Sequence, residues 1–524
     1  MNKLKALAVA ILLIFVLTAC GNSNNPAPRI PFEPTLEYAQ AVAQARREGI
    51  TSLQHSALNP YIRGYDQLVI ASNSLIQQMG QDNYLDVMLR IFTPTGMVDS
   101  ITPHQAVTDA AFLLYLMQMR YGAYIFYGGD AVFVPLFGEI FAYFQSLDAG
   151  VWDSRPEGQF AATLHDRLSS IISDNHFSIG GHLLGSYDAT HDDALPISAD
   201  FFIGTTHFER TDSGFRCQVL DMYIVDVEGY DINDIFMLYL SEAGEIGYIP
   251  VYVVPEGSSE VVVGLPIILD DGEMINFPLL RHISSPLPHR AYPSLEWREG
   301  IPVLSVMAMG FYPNETRAQI LRSYAYSLRD EPVVILDIRS NIGGNSLLVA
   351  QLMYDLTGEV VPTSSLTLNI GDIDHSMFMH SLVPSYEPFY LPVSDINKFR
   401  PAMAFGNNHY ITHYGPRRVV PNDMLLVVLV DRHTMSASET IVELALNLEN
   451  TLVVGQNTAG ATQKTGGQNY YLPYSGLPVS FGLGLVVHPV GMGVEGIGFA
   501  PDIWTYADAL EAVLALLGGQ PAMP

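Results

Sequence analysis

Two apolar stretches, residues 333–336 and 424–430, constrain the fold of this chain more than any other feature. Neither stretch alternates with polar residues, which is typical of strands buried on both faces. Each stretch runs into a turn and then into apolar residues at helical spacing, such as Ile441, Leu444 and Leu448. Strands that alternate with helices in this way predict right-handed βαβ units and a largely parallel sheet.

The turn after residues 424–430 reads Thr434-Met-Ser-Ala-Ser-Glu439. This order of strand, turn and helix places Ser436 at a helix N-terminus, near free backbone N–H groups and the positive end of the helix dipole. Those features suit a nucleophile whose substrate develops an oxyanion. The alternative is that the hydroxyl only caps the helix, as a serine at this position commonly does.

Four motifs follow one another within the last third of the chain, at residues 336–344 (Leu-Asp-Ile-Arg-Ser-Asn-Ile-Gly-Gly), 434–439, 454–460 and 494–502. In this order they resemble the serine peptidase family that contains the C-terminal-processing (tail-specific) proteases and the tricorn core protease. The resemblance implies a ClpP/crotonase-like α/β core with Ser436 as the nucleophile. It also implies an oxyanion hole formed by the backbone N–H of Ala437 with that of Gly343 or Gly344, although a glycine pair is also ordinary turn chemistry.

The general base differs between the two branches of the resembled family. The tail-specific branch pairs the serine with a lysine, but Ala461 occupies the matching position here, and Lys464 is the alternative base three positions later. The tricorn-like branch uses a histidine, which His176 resembles because it lies in an Asp-x-His step after an amphipathic helix. His176 could instead be a surface residue of a loop, with His182 as the fallback base.

Glu495 resembles the carboxylate that supports the base in the tricorn-like branch. It lies 59 positions after Ser436, so only the fold could bring the two residues together. The resemblance implies that Glu495 holds or charge-balances the imidazolium of the base. The alternative is an ordinary loop carboxylate, and no residue stands out as a second active-site serine.

The first residues form a targeting segment. Lys3 and Lys5 precede a short apolar run, and Leu17-Thr-Ala-Cys20 resembles a bacterial lipobox. We therefore expect residues 1–19 to be a signal peptide, Cys20 to be lipidated and residues 20–35 to be a tether, with ordinary secretion or an uncleaved anchor as alternatives. The expected location is the bacterial cell envelope, outside the cytoplasm. The net charge of −29 makes nucleic acid an unfavourable partner.

The remaining chain divides into three predicted parts. Residues 36–196 are mostly helical, with helices predicted at 66–78, 84–91, 106–119 and 131–147, among others. Residues 197–295 form a β-rich module, interpreted either as a degenerate PDZ-like domain or as an unrelated insert. Residues 296–524 form the α/β core.

No metal or cofactor is predicted. The acidic loop at residues 188–193 has carboxylates and one histidine, but its spacing matches no defined metal site. Cys217 is interpreted as a structural cysteine rather than a nucleophile.

The predicted function is that of an exported serine peptidase, which cleaves peptides or protein tails by acyl transfer. The alternative is a catalytically inactive lipoprotein that binds peptides on the same scaffold. The substrate and the oligomeric state do not follow from the sequence.

Overall fold

A computed structural model describes most of the chain. It covers residues 33–67, 96–146, 150–184, 199–217, 219, 221–255, 262–288, 292–310, 315–370, 402–405, 409–413, 417–462, 467–493 and 495–518. The helices within these residues are α1 (Leu36–Gly49), α2 (Asn59–Gln67), α3 (Pro103–Arg120), α4 (Asp130–Gln145), α5 (Gln159–Ser169), α6 (Ile232–Ile235), α7 (Thr316–Ser327), α8 (Ser346–Thr357), α9 (Ala437–Ala445) and α10 (Ala509–Gly518).

The strands are β1 (Ser100–Ile101), β2 (Trp152–Asp153), β3 (Ser178–Ile179), β4 (His182–Leu183), β5 (Ala199–Ile203), β6 (Glu209–Thr211), β7 (Gly214–Cys217), β8 (Met222–Val227), β9 (Phe236–Leu240), β10 (Ile246–Pro255), β11 (Val262–Leu269), β12 (Met274–His282), β13 (Ser294–Arg298), β14 (Ile301–Ser305), β15 (Val333–Asp337), β16 (Leu366–Ile370), β17 (Ala402–Phe405), β18 (His409–His413), β19 (Leu425–Val430), β20 (Thr451–Gly455), β21 (Gly467–Tyr471), β22 (Pro478–Gly482), β23 (Gly484–Val487) and β24 (Ile503–Trp504).

The parallel sheet predicted from the sequence forms the centre of the molecule. Strands β14, β15, β19, β20, β24 and β9 lie side by side and are parallel. Strand β19 is buried at every position because its side chains face two different hydrophobic clusters. Leu425, Val427 and Leu429 enter one cluster, while Leu426, Val428 and Val430 enter the other. The α/β core with doubly buried strands is therefore confirmed.

The β-rich part of the chain continues the same sheet. Beyond β9, strands β10, β5, β12, β11, β8, β7 and β6 follow in antiparallel order, and β13 pairs antiparallel with β14 at the opposite edge. One sheet therefore contains fourteen strands within the described residues. The junction is the parallel pair formed by Trp504 and Tyr239. The similarity of this part to a PDZ domain stays a prediction.

A smaller sheet joins the helical N-terminal part to the core. Strand β3 pairs with β22 through Ile179 and Val479, and with β4 on its other edge. Aromatic residues from the N-terminal helices and from β21 and β22 share one buried cluster, which includes Phe177 and Phe481. This pairing fixes the segment that precedes β3 against the core.

Helix α1 is fixed to the core by a buried ion pair. The Arg47 guanidinium lies 2.7 Å from Oδ2 of Asp502, and Arg47 is 2% exposed. Oδ2 of Asp502 also accepts the N–H of Val453 on β20 at 2.9 Å. Arg46 donates to the carbonyls of Ala500 and Pro501. The first described helix therefore holds the chain immediately before β24.

The predicted helices at 106–119 and 131–147 correspond to α3 and α4. Residues 68–78 and 84–91, the acidic loop at 188–193, Cys20 and Lys464 lie outside the described residues. Among the described helices, none combines the length and the apolar character needed to cross a bilayer. Cys217 is buried on β7, as expected for a structural cysteine.

Candidate active site

Ser436 lies in the tight turn between β19 and α9. Its backbone has φ 57° and ψ −122°, a region that residues with a side chain rarely adopt. Its N–H donates to Oε2 of Glu439 at 2.8 Å. Its Oγ lies 3.0 Å from Nε2 of His176. The turn therefore presents the hydroxyl to an imidazole, and backbone strain of this kind is found preferentially at functional sites.

Asn341 connects two of the motifs identified in the sequence. Its carbonyl oxygen accepts the N–H of Met435 at 2.9 Å and the hydroxyl of Ser438 at 2.5 Å. Its side chain donates to the carbonyl of Val306 and accepts the N–H of Gly343. The loop after β15 and the turn before α9 are therefore held together as one unit.

His176 reaches the site from the N-terminal part of the chain, 260 positions before Ser436. Its backbone N–H donates to Oδ1 of Asp174 at 2.7 Å, which forms an Asx turn after α5. Its Nδ1 is buried and makes no hydrogen bond to any described residue. With the proton on Nδ1, Nε2 is able to accept the hydroxyl proton of Ser436. The fallback base, His182, is instead an exposed residue of β4 whose ring lies 6.4 Å from that of His165.

Glu495 lies in the loop between β23 and β24. Its Oε2 accepts the N–H of Thr462 at 3.0 Å. Within the described residues no hydrogen bond joins Glu495 to His176, although its charge acts on Tyr121 and Glu439 nearby. A contribution of Glu495 to the site would therefore be made through its charge rather than through direct contact with the imidazole.

The two predicted oxyanion-hole glycines differ in the structure. A Cβ on Gly343 would lie 2.8 Å from Cβ of Ser436 and 2.7 Å from the carbonyl oxygen of Met435, so only glycine fits there. The N–H of Gly343 donates to the side chain of Asn341 and is therefore engaged. Within the described residues the N–H groups of Gly344 and Ala437 make no hydrogen bond. These two groups are the better candidates for binding an oxyanion.

Glu439 is a site residue that the sequence reasoning missed. It is 1% exposed and accepts four hydrogen bonds. The donors are the N–H groups of Ser436, Gly460 and Ala461 and the hydroxyl of Thr458, at 2.6 to 2.9 Å. The carboxylate therefore holds the 454–460 motif against the Ser436 turn. The Ser-x-x-Glu spacing, which is typical of a capping box, could have indicated this residue.

The pH dependence of stability tests the burial of Glu439. Burial raises the pKa of Glu439 from 4.5 to about 7, and the hydrogen bonds from Thr458, Gly460 and Ser436 only partly oppose this. The folded state therefore binds this proton more tightly than the unfolded state does. Protonated Glu439 therefore contributes to the free energy of unfolding. This contribution is fully present below about pH 4.5 and is lost as the pH rises through about 7, a change of about 3 kcal/mol.

Urea denaturation between pH 4 and pH 8 measures this effect as a difference between the wild type and Glu439→Gln. The variant is expected to be less stable, because the amide must direct a donor at backbone N–H groups, and to lose the decline with pH. Glu37→Gln is the matched control, since Glu37 is an exposed glutamate in the first turn of α1. Identical slopes for the wild type and Glu439→Gln would contradict the assignment.

Ala461, which the sequence comparison above matched to the lysine of the tail-specific branch, is buried. It packs against Met435 and Ala459, close to the Ser436 turn. Its N–H is bound by Glu439, so the backbone at this position supports the site even though the side chain carries no base. In the part of the chain that the structure describes, no group of three or more His, Cys, Asp or Glu side chains could hold a metal ion.

Comparison with known proteins finds a family match for part of the chain. The profile of Peptidase family S41 matches residues 308–505, a range that includes Ser436 and Glu495 but not His176. No curated protein matches the chain in sequence.

Several solved structures are similar to the chain. Mature CPAF is 14% identical, with 80% of this chain and 99% of that chain covered and a TM-score of 0.42. The photosystem II D1 C-terminal processing protease is 13% identical, with 77% and 93% covered and a TM-score of 0.33. The tricorn protease is 12% identical, with 80% and 36% covered and a TM-score of 0.28. Residues 308–505 are therefore similar in sequence to peptidase family S41.

Proposed function

We propose that the chain is a serine peptidase in which Ser436 is the nucleophile and His176 is the general base. The observation that carries the proposal is the 3.0 Å distance between Oγ of Ser436 and Nε2 of His176, at a strained turn of the S41 domain. A serine hydroxyl needs such a base within hydrogen-bond distance to become nucleophilic. The family assignment supports the same class of reaction.

The proposed reaction is acyl transfer. Oγ of Ser436 attacks the carbonyl carbon of a peptide bond, and its proton passes to Nε2 of His176. The N–H groups of Ala437 and Gly344 stabilise the oxyanion. His176 then gives the proton to the leaving amine, and a water molecule, deprotonated in the same way, hydrolyses the acyl-enzyme. The charge of Glu495 favours the imidazolium that forms in between.

We further propose that the protein acts at the bacterial cell envelope and is held there by a lipid on Cys20. The support is the lipobox-like sequence at residues 17–20, together with the polar tether that follows it. Incorporation of a radioactive fatty acid tests the lipid attachment independently of catalysis. We expect label in the full-length wild-type chain and none in Cys20→Ala.

The test of function uses the soluble chain that begins after Cys20 and a diverse mixture of peptides, analysed by mass spectrometry. We expect cleavage by the wild type and none by Ser436→Ala. Ser327→Ala is the control, since this exposed serine at the end of α7 only bonds the carbonyl of Tyr324. Peptides that bind without turnover would indicate a binding protein. Equal cleavage by the wild type and Ser436→Ala would show that Ser436 is only a helix cap.

A further inference from the structure

A buried carboxylate lies behind the proposed base. Asp174 has no exposed surface, and its two carboxylate oxygens have different partners. Oδ1 accepts the N–H of His176 at 2.7 Å, and Oδ2 accepts the hydroxyl of Tyr121 at 2.7 Å. No cation is paired with Asp174 within the described residues. A buried anion is usually compensated, so its position beside a histidine requires an explanation.

Tyr121 is fixed where it can hold this carboxylate. It lies at the end of α3, is fully buried, and contacts the rings of Phe177 and Phe481 edge to face at 5.1 and 5.5 Å. Phe177 directly follows His176 in the chain. Burial raises the pKa of Tyr121 well above its usual range, and the charges of Asp174 and Glu495 act in the same direction. The hydroxyl therefore stays protonated and donates to Asp174 at any working pH.

These contacts have two consequences for the imidazole. The Asx turn of Asp174 sets the backbone of His176, and hence the direction from which Nε2 approaches Ser436. The negative charge also favours the protonated imidazole that forms when Ser436 is deprotonated. The other ionisable groups around this position are Tyr121 and Tyr127 from the N-terminal part, Ser436 itself, and Glu495 from the loop before β24.

We propose that Tyr121 and Asp174 are positioning residues for His176. Asp174 orients the base and favours its protonated form, and Tyr121 holds Asp174 through its hydroxyl. The proposal rests on the proposed function, because it assigns the orientation of the same base. It implies that the helical N-terminal part contributes to catalysis as well as to packing.

The test measures the rate at which a fluorophosphonate probe labels Ser436, since this reaction needs an activated serine but no particular peptide. Oγ bonds to phosphorus, fluoride leaves, and the hydroxyl proton passes to His176. Tyr121→Phe removes only the hydroxyl, and we expect labelling about tenfold slower. Tyr124→Phe is the matched control, because Tyr124 is equally buried and its hydroxyl donates to Oδ1 of Asp130 at 2.8 Å.

Both tyrosine variants are expected to lower Tm, because each loses one hydrogen bond from a buried tyrosine to an aspartate, and the partly buried bond of Tyr124 should cost no more than that of Tyr121. Only Tyr121→Phe is expected to slow labelling, and Tyr124→Phe should stay within about twofold of the wild type. Equal labelling rates for the two variants would show that Tyr121 is a packing residue and would overturn its part of the proposal.

The pH–rate profile of the Asp174→Asn variant is a readout that a purely structural role of Asp174 would not change. The asparagine can keep the Asx turn but carries no charge, so the imidazolium loses its stabilising neighbour. We expect the acid limb of the pH–rate profile for labelling to move to lower pH by about one unit. An unchanged profile would overturn the role of the Asp174 charge. Wild-type chain that is neither labelled nor able to cleave peptides would instead refute the proposed function itself.

Discussion

Replacing His176 with alanine is expected to reduce the rate of peptide cleavage by about 10⁴-fold, because Ser436 then has no base to take its proton. The measurement is the cleavage rate of a peptide identified from the mixture. Ser436→Ala combined with His176→Ala is expected to be no slower than Ser436→Ala alone, since the two residues act in the same step. This non-additivity distinguishes a nucleophile–base pair from two independent contributions.

His182→Ala is the matched control for His176→Ala. His182 lies six positions later, is exposed on β4, and is expected to be replaceable with little effect. Lys464→Ala tests the other proposed base. If Lys464→Ala removes activity while His176→Ala keeps it, the Ser–Lys mechanism of the tail-specific branch is correct, and the pair seen in the structure is not catalytic.

The second large effect concerns stability. Arg47→Ala is expected to lower the free energy of unfolding by about 3 kcal/mol, because it removes the nearer guanidinium from the buried carboxylate of Asp502, which keeps only Arg46 at 3.5 Å. Denaturation by urea, followed by circular dichroism, measures this change. We expect activity to fall at temperatures where the wild type is still active, since Asp502 ends the 494–502 motif that carries Glu495.

Arg298→Ala is the control for Arg47→Ala. Arg298 also pairs with a carboxylate, that of Glu511, but both side chains of this pair are exposed to solvent. Exposed pairs contribute little to stability because water and salt screen them. A loss of stability for Arg47→Ala no larger than that for Arg298→Ala would mean that α1 is not an integral part of the core.

The sequence predicted the elements of the core well because their signals are local. Strand β19 is a run of apolar residues, and α9 has apolar residues at helical spacing, so each pattern is complete within about ten positions. The order of strands and helices then restricted the topology to parallel βαβ units. The position of Ser436 between β19 and α9 follows from the same local signals.

The sequence was less informative where the resembled family has branches that differ. Ala461 weakened the Ser–Lys interpretation, but it did not select His176 over His182. Both histidines lie near a glycine pair, and neither has a strong motif. The choice depends on where the chain runs after α5, which local periodicity does not encode.

The sequence by itself determined the α/β core, the strand and helix around Ser436, and that residue as the candidate nucleophile. Only the tertiary structure decided which histidine faces Ser436, that Glu439 fastens the neighbouring loop, and that Tyr121 lies behind Asp174. These contacts join positions 19 to 260 residues apart, except for the short bonds within each turn. They depend on the pairing of β3 with β22 and on shared hydrophobic clusters, because packing between distant segments sets the positions of side chains that no local pattern specifies.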